Sequence, residues 1–309
     1  MEQVEIAEQQ NPSSAPGEDY AGSAAAGEAA PARPADGGLS AVPGSDTTEP
    51  PTTPSFVFAL GKVEPRFPSP SVEKEFTQVA AREETEGQTD RQMLRSVLGE
   101  RNNRYLARQM CWVFTIEGLE TYLLVPRDPA DVELLIEAVR PEPQPADLDV
   151  VIGQRGPLAP AEACGGLIVP VVAFDNLYSF ERDELITAIP RPEEEDEEYF
   201  RATAAELLDR ILRIADNAGN TDEHRALNFL AVRYPAIYVR TAEAHRAGAS
   251  LTEVQVRPSP LSRTRRIVDT IFSYTDRRTD VTEKYFARVD VTEEFPFLVT
   301  KLSPYYDRP

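Results

Sequence analysis

Arg266-Ile267-Val268-Asp269-Thr270-Ile271-Phe272-Ser273-Tyr274, the polar turn Thr275-Asp276-Arg277-Arg278-Thr279-Asp280, and Lys284-Tyr285-Phe286-Ala287-Arg288-Val289-Asp290-Val291 form the stretch on which the fold turns. Both apolar runs are rich in β-branched and aromatic residues, and a short polar turn separates them, which predicts antiparallel neighbours. Val254–Val256 before them and Phe297–Leu302 after them read as two further strands. The C-terminal part is therefore expected to be an antiparallel meander flanked by residues 254–257 and 297–302.

Upstream the period changes to helical. Residues 193–198 are six consecutive acids, read as the solvated start of a helix, because acids favour the positive end of the helix dipole. Leu207, Leu208, Ile211, Leu212 and Ile214 give the apolar face behind them. Asn217-Ala218-Gly219-Asn220 ends that helix, Thr221-Asp222-Glu223-His224 opens the next, and a third runs toward Arg246-Ala247-Gly248. Further back, Ser55–Leu60 alternates as a half-buried strand and Glu64–Pro70 is expected to break the chain. Asp90 is a candidate cap for a helix through Leu98. Cys111–Val125 reads as a hairpin turning at Glu117-Gly118, and Asp128 or Asp131 caps a short helix. Leu148–Ile152 and Leu167–Ala173 are two buried strands joined by a loop with Cys164-Gly165-Gly166, and residues 181–189 form a short helix. The fold class is α+β: a mixed β/helix N-terminal part, a central helical cluster at about 193–247, and the C-terminal antiparallel β meander.

Residues 1–54 hold nine acids, one base and almost no large apolar side chain, so they are expected to be a disordered acidic Pro/Ala/Gly-rich tail. Residues 55–309 form the folded domain. The net charge of −20 argues against nucleic acid and anionic membrane as main partners, since both need a positive footprint. No run of 18 apolar residues is present, nor a secretory signal, and two cysteines cannot build a disulfide framework, so a cytoplasmic location is expected.

No phosphate loop, dinucleotide fingerprint or nucleophile elbow occurs. The scarce residues are Cys111, Cys164, His224 and His245. They offer two competing chemistries: one tetrahedral zinc site, or a Cys164–His224 nucleophile pair. Against both stands the plain reading of separate packing residues.

Five strings carry a resemblance: Phe58–Pro68, Asn103–Gln109, Thr115–Tyr122, Asp216–Asn228 and Asp290–Val299. Together they resemble the C-terminal domain family of the cyanobactin maturation protease PatG, a domain of unknown function also found on PatA, over about residues 55–307. The resemblance implies a role in maturing a ribosomally made peptide natural product. It does not carry over the protease or oxidase, whose domains this sequence lacks. It also implies bound zinc, with Cys111, Cys164 and His224 as ligands and His245 or a carboxylate completing the shell. The expected function is a non-catalytic accessory protein that binds a precursor peptide or a maturation enzyme, with β-augmentation on an edge of the meander as the means. The alternatives are a zinc- or cysteine-dependent peptide-modifying enzyme and an oligomerising scaffold, in its simplest form a homodimer.

Overall fold

The computed structural model describes residues 55–82, 87–193 and 195–306. The acidic segment 1–54, and with it the expected tail, lies outside the described residues. The fold is α+β, with eight helices and nine strands in two sheets among the described residues. The first sheet uses β1 (Ser55–Arg66), β2 (Cys111–Ile116), β3 (Leu119–Pro126), β4 (Asp147–Leu158) and β5 (Pro170–Glu181), and closes into a barrel in the order β1-β2-β3-β5-β4. The second is the expected meander, β6 (Ala249–Pro258), β7 (Ile267–Asp276), β8 (Thr282–Asp290) and β9 (Phe297–Tyr305), antiparallel throughout.

The break expected at Pro65 does not occur. β1 pairs with β4 over Ser55–Gly61 and with β2 over Lys62–Arg66, so Pro65 sits where the strand has one neighbour and its missing N–H breaks no second ladder. At the changeover the Val63 amide donates to the Asp149 side chain at 2.7 Å. β1 is also not half-buried: Val57 and Ala59 face one core while Phe58 and Leu60 face another. Closure of so narrow a barrel needs close backbone approach. A Cβ at Gly153 would stand 2.4 Å from the Ala173 carbonyl oxygen, and the β4–β5 register shifts at that point.

Helices α1 (Pro70–Ala80), α2 (Asp90–Gly99), α3 (Arg104–Gln109) and α4 (Val132–Ala138) pack with the barrel in one core. Thr89, not Asp90, caps α2, in a reciprocal capping box with Gln92. The expected hairpin is β2–β3, and Glu117 and Gly118 at its turn both have positive φ. The strand expected at Leu167 starts at Pro170, because Gly165 and Gly166 take left-handed conformations and lengthen the loop.

Helices α5 (Arg182–Ala188), α6 (Glu197–Leu212), α7 (Asp222–Arg233) and α8 (Ala236–Arg246) build the second core. That core joins Phe58, Leu60 and Val150 of the barrel to Val268, Phe272 and Val289 of the meander. The acid run is not wholly solvated: Glu195 is buried beside Arg246 at 3.3 Å, and Asp196 caps α6.

Candidate functional site

The structure brings two of the three expected metal ligands together and leaves the third apart. Cys111 opens β2, Cys164 closes a 3-10 turn after β4, and the two form a disulfide inside a small apolar cluster with Val113, Leu123 and Ala159. His224 lies in the first turn of α7, where its backbone N–H donates to the capping Thr221 hydroxyl. Burial pushes its imidazole below the usual histidine range, and its Nδ1 is buried without a hydrogen-bond partner. Among the described residues no group of three or more His, Cys, Asp and Glu gathers to hold a metal. Zinc takes thiolates, and bridged sulfurs supply none, so Cys111, Cys164 and His224 as arranged do not fit the ion. The same bridge takes the thiolate from the Cys164–His224 pair. His245 is apart again, stacked on Tyr199, whose hydroxyl lies 2.6 Å from Nδ1.

The residue beside His224 has the larger structural task. Arg225 is 1 % exposed, and its guanidinium donates to the carbonyls of Val291, Glu293 and Glu294 in the β8–β9 turn. Burial holds its pKa down to about 10. Asn228 donates to the Phe58 carbonyl and exchanges hydrogen bonds with Asn217. The Phe58 amide donates to Gly219, and the Tyr122 hydroxyl to Ala218. The Asp216–Asn228 string thus bolts α7 to the barrel on one side and to the meander on the other.

Where these units meet, Arg127, Asp175 of β5 and Glu294 form a cluster, with Arg127 Nη2 2.9 Å from Asp175 and 3.7 Å from Glu294. Burial, then the hydrogen bond and charge of Asp175, push Glu294 up to about 7 against Arg127 and Arg225. A groove of about 500 Å³ opens between the β2–β3 turn, the start of β5 and the α6–α7 loop, with Leu119 and Ile168 exposed on its rim.

The meander has two edges, β6 and β9, at the positions the sequence predicts. They are not equally open. On β9 the pairing with β8 shifts twice, Pro304 lies in the strand, and the Leu302 amide is taken by the Tyr234 hydroxyl at 2.8 Å. On β6 the register with β7 is continuous from Glu253 to Pro258. Among the described residues, only the carbonyls of Leu251 and Thr252 carry a helix side chain, the guanidinium of Arg210 from α6. Beside them lies a cleft of about 190 Å³ between α6, the end of α8, the first residues of β6 and Arg277 after β7. Sequence reasoning placed the edges but not Arg210 and Arg277. Their one signal was the Arg277-Arg278 pair in a turn of a strongly acidic chain.

The family model described as PatG C-terminal matches residues 194–305, which are α6–α8 and the meander. A solved structure described as "PatG Domain of Unknown Function" is similar at 22% identity, covering 81% of this chain and 98% of that one, with a TM-score of 0.67. That likeness extends the shared fold beyond the residues matched by the family model. No curated protein matches.

Proposed function

We propose, taking a PatG C-terminal-like domain as the premise, that the chain is a non-catalytic accessory protein that captures an extended peptide in the maturation of a ribosomally synthesised, cyanobactin-like product. The observation that carries this reading is the open edge of β6 over Glu253–Arg257, a strand with a single neighbour and a regular register. An added strand gains main-chain hydrogen bonds on such an edge whatever its sequence, and side-chain contacts then select among peptides. A precursor that must be held while another enzyme acts on it suits that mode. The setting rests on the likeness to PatG, and a cytoplasmic location goes with it. In the cytosol the Cys111–Cys164 pair would meet thiol reductants.

The test is selection from a randomised peptide library with free C-termini, followed by anisotropy titration of the enriched sequence. The reading expects an enriched family of extended sequences that bind saturably. A library that yields no sequence above background removes it.

A further inference from the structure

The cleft at the start of β6 is built from cations in a chain that has few to spare. Arg210 and Arg277 line it together with His245, Ser250, Thr203 and one carboxylate, Glu206. Each arginine is fixed by neutral partners. Arg210 donates to the carbonyls of Leu251 and Thr252. Arg277 donates through Nε to the Ser250 hydroxyl at 2.7 Å and lines the cleft. His245 is held by Tyr199 through Nδ1. Residues 249–306 carry nine Lys and Arg against eight Asp and Glu, in a chain of net charge −20. The acid-rich start of α6 lies close by in sequence, but among the lining residues Glu206 is one carboxylate against two guanidinium groups, a surplus that suits an anion.

Its position relative to the edge decides which anion. The sheet is antiparallel, so a strand added to β6 in the same sense runs from Arg257 toward Glu253. Arg210 occupies the next two carbonyls, at Thr252 and Leu251, and stops the pairing there. The strand must end beside the two guanidinium groups. We propose that the cleft takes the free C-terminal carboxylate of the captured peptide, with Arg277 and Arg210 as its cationic partners. Carboxylate capture at the end of a strand-addition groove is a physically coherent pairing: main-chain bonds give affinity, and charge-assisted bonds to one terminus give register. A cleft of about 190 Å³ has room for a terminal residue and not for a folded segment. This inference rests on the β6 reading and adds the class of ligand end that it accepts.

The experiment uses the full chain and one enriched library peptide in two forms, free acid and C-terminal amide, against wild type, Arg277→Gln and Arg277→Lys. The expected result is at least about tenfold weaker binding of the amide to wild type, since a charge-assisted contact is lost. Arg277→Gln should weaken the free acid by a similar factor and leave the amide unchanged, and Arg277→Lys should recover part of the loss. Acetate should compete with the free acid and not with the amide. Equal binding of acid and amide overturns the carboxylate site while the β6 reading stands. Failure of every selected peptide to bind overturns both.

Discussion

At position 219 a Cβ atom would stand 2.3 Å from the Phe58 carbonyl oxygen, on a backbone already at φ of 69°. Nothing but glycine fits both conditions, so Gly219→Ala should cost at least about 2 kcal/mol of stability by denaturant titration; an unchanged midpoint would mean the α6–α7 loop is not anchored there. Glu294 gives a second prediction. Its carboxyl titrates near 7 in the fold and near the ordinary carboxylate range when unfolded, so the folded chain binds the proton more tightly. Its contribution is therefore present at low pH and is lost as pH rises through about 7. Glu294→Gln should flatten the stability profile across that window, and a profile identical to wild type would contradict the burial of the Glu294 carboxyl beside Asp175. At this scale the sequence was read by scarcity, which selected His224. Scarcity says nothing of burial, and the buried clamp is the neighbouring Arg225, one of many arginines in the chain.

Among elements, the disulfide and the meander core make the clearest claims. The Cys111–Cys164 bridge closes a loop across 53 positions, tying β2 to the turn before β5. Cys111→Ser with Cys164→Ser should lower stability by about 2–4 kcal/mol, and thiol titration of the denatured, unreduced protein should find no free cysteine. Two free thiols and an unchanged midpoint would remove the bridge. Val289 and Ile271 are 0 % and 1 % exposed. Truncating Ile271 to Ala should cost about 2–5 kcal/mol, and a silent substitution would show that β7 is not core. The hairpin, the meander and the helices α5–α8 were legible because each rests on local signals: a Glu-Gly turn, alternation, caps, period 3.6. The barrel was not. Its closure depends on β1 pairing with β4 and on β3 lying parallel to β5, contacts between segments 48–100 residues apart that no local pattern encodes. Pro65 misled for the same reason, since its tolerance is set by which neighbour strand has already left.

On the scale of the whole molecule, the four helices α5–α8 lie between a barrel that is closed among the described residues and a four-stranded sheet that has two edges. The closed sheet has no strand edge to offer a partner and the open one does. Of the two edges, β9 is blunted by Pro304, shifted register and Tyr234, while the open stretch of β6 stops beside a pair of arginines. The candidate edges were readable as the ends of a run of strands. The difference between them was not, because it arises from side chains that reach across from α6 and from the residue that closes α7. Hydrogen exchange along the whole chain, with and without the selected peptide, tests the central claim most directly. The account predicts new protection at residues 253–257, with 297–302 and the groove around Leu119 and Ile168 unchanged; protection confined to β9 or to that groove, with β6 exchanging as before, would contradict it.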